Sequence, residues 1–229
     1  MSSSKKKVKQ TVMEDLLGPK LLTSPNTSQP TTTALKGKSL VALYFSASWC
    51  PPCRSFSPLL IKFYEKCCAG PDGVQIVYVS SDRDLSSFNE YFGKMPWVAI
   101  PADGAGAQLK QRLAELCQIR GIPALVVIDA KTGHFVTDDA RNEVTAAGED
   151  VSKGKELVSL WKSKEAVPFD RAVFNGGQSG FSIRKVIMFF LSNPVYIVGM
   201  LYFAKKGMKY LADLGEEDED EEELVRGEL

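Results

Sequence analysis

The chain has 229 residues, 44% of them hydrophobic, with 28 basic side chains balancing 28 acidic ones and a single histidine. That length and apolar content suffice for one good-sized domain with its own core, plus appendages. Five cysteines in a chain this long exclude a secreted disulfide scaffold. One histidine and one Cys-x-x-Cys pair leave a structural zinc site short of ligands.

The zero net charge hides an asymmetry. Residues Glu216 to Glu223 are eight consecutive acids, and without them 28 bases face 20 acids, a surplus of eight. Such a run repels itself and reads as a solvated tail, either a solubilising end or a binding segment. At the other end Lys5, Lys6, Lys7 and Lys9 are followed by Met13-Glu14-Asp15, with neither an apolar run nor an arginine. Neither a secretory signal nor a mitochondrial presequence is expected there, so the domain should work in a reducing compartment.

Taken in chain order, residues 1–11 are polar and expected to be disordered. Thr23 to Thr33 holds only Thr, Ser, Pro, Asn and Gln, a loop that is either a linker or an enlarged hairpin turn. Leu40 to Ser46 is short, apolar and β-prone, as a buried parallel strand should be. Phe56 to Cys68 carries Phe56, Leu59, Leu60, Phe63 and Tyr64 at helical spacing. Val74 to Ser80 predicts a second buried strand, and Leu85 to Phe92 a short helix capped by Asp82 or Asp84. Trp97 to Ile100 is a brief extended piece, Ala107 to Cys117 a helix, and Ala124 to Asp129 a third strand. Lys131-Thr132-Gly133 turns the chain into a fourth strand, His134 to Val136, giving an antiparallel hairpin. Val151 to Lys162 closes the domain as a helix. This order predicts an α/β fold with a mixed sheet flanked by helices.

Between the first strand and the first long helix stands Trp49-Cys50-Pro51-Pro52-Cys53-Arg54. That spacing puts Cys50 at a helix N-terminus, where unpaired N–H groups and the helix dipole favour a thiolate and lower its pKa. Cys53 lies one turn away, within reach of a disulfide. A purely structural bridge would close only four residues and constrain little chain entropy. Dithiol–disulfide exchange is the expected chemistry, with Cys50 as nucleophile and no bound cofactor. Cys67, Cys68 and Cys117 read as small core or surface residues.

The stretches Phe45-Ser-Ala-Ser-Trp-Cys-Pro-Pro-Cys-Arg54, Phe63-Tyr-Glu-Lys66, Tyr91-Phe-Gly-Lys-Met-Pro-Trp97, Ile122-Pro123 and Ala140-Arg141 resemble the tryparedoxins of kinetoplastid protozoa, over roughly residues 12–168. The resemblance implies an enlarged thioredoxin-like fold. It also implies that trypanothione is the electron donor and that protein disulfides such as those of peroxiredoxins are the acceptors. In that scheme Cys50 forms the mixed disulfide and Cys53 resolves it. Trp49, Pro51, Ile122, Pro123 and Arg141 would contact substrate, with Tyr44 and Arg54 as support, and Pro123 would be cis. Trp49 is otherwise a core aromatic, and Tyr44 a strand aromatic. The sequence departs from the family at Arg120, where an acid is typical, and at Ser81-Asp82, where Trp-Asp is typical. The Trp-Cys-Pro-Pro-Cys motif is shared with nucleoredoxins, so a nucleoredoxin-like enzyme with another reductant is the alternative. A membrane-tethered, redox-regulated binding module is a further one.

Residues 169–185, with Gly176-Gly177-Gln178-Ser179-Gly180, read as a flexible linker. Residues 186–204 then run 19 positions without a charge, about 28 Å as a helix against a hydrocarbon core of about 30 Å. Arg184 and Lys185 precede them and Lys205, Lys206 and Lys209 follow. The expectation is one C-terminal transmembrane helix acting as a tail anchor. The redox domain would then be cytosolic, residues 205–229 a basic-then-acidic tail, and the membrane the mitochondrial outer one or the endoplasmic reticulum. No nucleic-acid partner is expected.

Overall fold

The computed structural model describes residues 10–102 and 104–174. Of the expected disordered start at 1–11, residues 1–9 lie outside the described residues, as do the span at 186–204 and the tail at 205–229, whereas Thr11 is ordered as the N-cap of the first helix. Among those described, no helix is long and apolar enough to cross a membrane.

The elements run α1 (Val12–Leu17), β1 (Lys20–Ser24), β2 (Thr27–Pro30), α2 (Thr31–Ala34), β3 (Leu40–Ser46), α3 (Pro51–Cys67) and β4 (Val74–Ser80). After these come α4 (Leu85–Phe92), β5 (Val98–Ala99), α5 (Ala105–Leu116), β6 (Ala124–Asp129), β7 (Phe135–Thr137), α6 (Ala140–Ala147) and α7 (Val151–Ser163). One seven-stranded sheet has the order β2-β1-β5-β4-β3-β6-β7. Strand β4 runs parallel to β3 and β5, whereas β6 is antiparallel to β3 and β7. The mixed sheet expected from the element order is therefore present.

Every residue of β3 and β4 is buried, because both faces of the sheet are covered. Alternate residues of β3 feed two cores. Leu40, Ala42 and Tyr44 join Leu60 and Phe63 of α3, Phe88 of α4, Val144 of α6 and Trp161 of α7. Val41, Leu43 and Phe45 join Met13 and Leu17 of α1 and Leu113 of α5. The period of two along a strand produces this split.

Four parts settle or go beyond the sequence expectation. Of the two readings of Thr23–Thr33, linker or enlarged hairpin turn, the hairpin holds: β1 and β2 pair antiparallel through it, the chain runs on into α2, and β1 pairs on to β5. Strand β2 is polar because it is the sheet edge; one face and one edge meet water, and Pro30 at its end costs no ladder bond. Residues 12–17 form α1, closed by a capping box in which Thr11 accepts from Glu14 N and the Glu14 carboxylate accepts from Thr11 N. Residues 140–147 form α6, an element the sequence reading does not include. Beyond the expected boundary at 168, Phe169, Ala172 and Phe174 still pack on the second core, with the Phe174 and Phe135 ring centroids 4.9 Å apart.

Candidate active site

The site forms where β3 ends and α3 begins. Because β6 is antiparallel to β3, with Phe45 opposite Ala124, the segment entering β6 lies beside the segment leaving β3. That register brings Ile122 and Pro123 to the cysteines, 72 residues away in sequence. The Ile122–Pro123 bond is cis, and the Cys50 Sγ lies 3.7 Å from the Ile122 carbonyl oxygen. Cys50 and Cys53 are joined as a disulfide, with Cα atoms 5.2 Å apart.

Cys50 is the N-cap of α3, and its Sγ accepts from the backbone N–H of Cys53 at 3.3 Å. Pro51 and Pro52 occupy the first two helical positions and carry no N–H. The first free donor of the helix is thus the one that meets Cys50 Sγ. A donor and a helix N-terminus both favour negative charge on that sulfur once the disulfide is reduced. Cys53 is wholly buried, and Cys50 is 3% exposed. The shape is one in which an incoming disulfide approaches Cys50 first.

Trp49 is 50% exposed and flanks the site as a wall rather than a core residue. Its indole Nε1 donates to Ser81 O at 3.1 Å, and the Arg83 guanidinium sits over its ring, 5.8 Å from the centroid. Arg54, one residue after Cys53, donates to Ser48 O at 2.8 Å.

Behind the sulfurs lies a hydroxyl network. Tyr44 is fully buried; its hydroxyl accepts from Ser46 Oγ at 3.0 Å and pairs with Ser57 Oγ at 2.8 Å. Ser57 Oγ pairs with Tyr91 at 2.7 Å and donates to Cys53 O at 3.0 Å. Burial pushes the Tyr44 and Tyr78 phenols well above their ordinary value, so both stay protonated.

Sequence reasoning overlooked Asp82. It does not cap α4; Asp84 does, accepting from Ser87 N at 2.8 Å. Asp82 instead accepts from Ser48 N at 2.7 Å, from the Tyr78 hydroxyl at 2.7 Å and from Ser80 Oγ at 2.8 Å. The residues Ser81, Asp82 and Arg83 therefore grip the two residues that precede the nucleophile. No local signal marks this role, since Ser48 is 34 positions away.

Trp49, Cys50, Pro51, Cys53, Ile122 and Pro123 come together, with Tyr44 and Arg54 beside them. Arg141 is the second residue of α6 and half-buried, and among the described residues its side chain makes no hydrogen bond or ion pair with this group. Cys68 and Cys117 are buried and Cys67 is half-buried, each away from the disulfide.

A dithiol–disulfide pair capping a helix, opposite a cis-proline loop on a mixed sheet, defines a thioredoxin-fold thiol–disulfide oxidoreductase domain. The chain belongs to the thioredoxin-like family: the model described as "Thioredoxin-like" matches residues 37–135. It is 43% identical over 111 residues to tryparedoxin from Trypanosoma brucei brucei, covering 48% of this chain and 74% of that protein. It is 41% identical over 131 residues to nucleoredoxin from Danio rerio, covering 57% of this chain and 30% of that protein. The chain thus spans less than a third of the nucleoredoxins it matches, and only 19% of probable nucleoredoxin 1 from Arabidopsis thaliana. Among solved structures, native tryparedoxin I from Crithidia fasciculata matches with TM-score 0.54 and 36% identity, over 60% of this chain and 93% of that one. Tryparedoxin II complexed with glutathionylspermidine matches with TM-score 0.51 and 33% identity, over 56% and 85%.

Proposed function

We propose that this protein takes two electrons from a low-molecular-weight dithiol, trypanothione, and passes them to protein disulfides such as those of peroxiredoxins. The observation that carries the reading is Cys50 Sγ at the α3 N-cap, facing the Ile122 carbonyl. The reduced Cys50 thiolate attacks one sulfur of the client. The client S–S bond breaks, and its second sulfur leaves as a thiolate that takes up a proton. Cys53 then loses its proton and attacks Cys50 Sγ, releasing the first client sulfur and re-forming the Cys50–Cys53 disulfide. The donor dithiol reverses this sequence and is itself oxidised.

In this scheme Trp49, Pro51, Ile122 and Pro123 line the approach, Arg54 and Tyr44 support the cysteine turn, and Arg141 meets the thiol donor. The tryparedoxin relatives support trypanothione as donor, one of them being solved with glutathionylspermidine. Near-equal identity to nucleoredoxin favours a second reading, in which another reductant serves. Arg120, exposed two residues before Ile122, bears on the choice. A cation there opposes the positively charged amine linker of trypanothione. Reduction by trypanothione is expected to be slower than in a soluble tryparedoxin, with Arg120→Glu recovering it severalfold. Coupled assays with trypanothione and glutathione side by side test this. Equal trypanothione rates for both variants contradict the charge argument, and a clear preference for glutathione moves the reading to the nucleoredoxin-like enzyme.

Residues 186–204 would tether the domain to a membrane facing the cytosol, most simply the mitochondrial outer membrane. Carbonate extraction should leave the full chain in the pellet and release a version ending at Phe174. Digestion of the domain by protease added to intact mitochondria is the expected result, and protection without detergent contradicts the orientation.

A further inference from the structure

Two guanidinium groups are fixed on the two residues that precede the nucleophile. Arg54 holds the Ser48 carbonyl, and Arg83 lies over the Trp49 ring. Both are exposed, and neither is ion-paired with a carboxylate among the described residues. The acids next to them are already engaged. Asp82 accepts three hydrogen bonds from the protein, and both Asp84 oxygens accept from Ser87. Asp82 is half-buried and spends its oxygens on the protein, and the exposed Asp84 carboxylate is held by Ser87 rather than by either arginine. Apolar surface lies with them: Trp49 is 50% exposed, and Leu85, two residues after Arg83, is 53% exposed.

We propose that Arg83, with Arg54, makes this rim a docking point for an acidic side chain flanking the disulfide of a client protein. The proposal rests on the reading of Cys50 as nucleophile and names the partner class for that same site. A guanidinium held over an indole face by its charge presents several N–H donors, which suits the two oxygens of a carboxylate. The exposed Trp49 and Leu85 favour a protein client over a small thiol, because a protein surface covers them on docking. The rim would act mainly on the rate of encounter and on choice among clients.

The test uses the full chain carrying Cys53→Ser, which stops the reaction at the mixed disulfide. Two peptides are offered, identical except that the cysteine is flanked by glutamates or by lysines, each as a mixed disulfide with thionitrobenzoate. Attack by Cys50 forms the Cys50–peptide bond and releases thionitrobenzoate, which is read by its absorbance. At low salt the glutamate peptide is expected to react about fivefold faster than the lysine peptide, and 0.5 M salt should shrink the ratio towards one. Adding Arg83→Glu should bring the ratio to one or below, while Arg83→Lys should retain part of it. Equal rates for the two peptides, or a ratio untouched by Arg83→Glu, would overturn the docking point while leaving Cys50 as nucleophile intact. A charge preference shown by glutathione disulfide but not by the peptides would overturn it as well. Failure of both peptides to react would overturn both readings.

Discussion

Asp82 takes three donors at once, from Ser48 N, Tyr78 and Ser80. Replacing it with alanine removes the acceptor of the Ser48 N–H and leaves the buried Tyr78 hydroxyl only its longer 3.4 Å bond to Ser46 O. Asp82→Ala is expected to lower stability by about 1–3 kcal/mol in urea unfolding. It should also slow Cys50 alkylation more than it slows labelling of Cys67, because it loosens the Ser48–Cys50 turn. A change under 0.5 kcal/mol would mean that water replaces the carboxylate at little cost. The buried thiols make a separate prediction. Burial pushes the Cys117 thiol up to about 12 from 9.0, and Cys68 higher still. Above pH 9 the unfolded chain sheds these protons first and the folded chain keeps them, so stability is intact below pH 9 and falls as pH rises from there towards 12. Cys117→Ala should make that fall shallower, by up to about 1.4 kcal/mol per pH unit. An unchanged slope would mean that Cys117 titrates normally in the fold. At this scale the cysteine pair was legible because its chemistry is set within six residues. Asp82 was not, because an aspartate just before a helix looks locally like a cap, and only the tertiary fold brings Ser48 to it.

Helices α3 and α7 meet at Gly154, where an added Cβ would collide with Cys67 Sγ and come within 3.4 Å of Phe63. In an isolated helix Gly→Ala stabilises by about 1 kcal/mol; here overpacking costs about 1–3 kcal/mol. Gly154→Ala is therefore expected to lower the thermal midpoint, and Cys67→Ala in the same chain to restore much of it. A stabilised single variant would show that the helices separate easily. Elements with strong periodicity were legible: β3, β4 and α4 follow the sequence expectation in position and length. The pieces that were not legible are those whose stability is borrowed. Strand β2 has no apolar face and exists through backbone bonds to β1. Helix α6 is eight residues long, with no side-chain cap on its N-terminus, and owes its place to Val144 and to Ala140 in the first core. Helix α1 did leave a signal, since Thr11 and Glu14 have the spacing of a capping box.

For the molecule as a whole, the disulfide is where the strands, the α3 cap and the proline loop converge, so chemistry at Cys50 tests fold and function together. Around the sulfurs this chain places Arg54 and Arg83 on the two residues before the nucleophile, and Arg120 two residues before Ile122. The most direct measurement is mass spectrometry of covalent complexes formed when reduced Cys53→Ser and Cys50→Ser variants meet an oxidised protein disulfide. A client bound through Cys50 in the first variant, with neither adduct nor turnover in the second, is the expected result, because attack proceeds without Cys53 but release does not. Turnover by Cys50→Ser, or an adduct on any other cysteine, would contradict it.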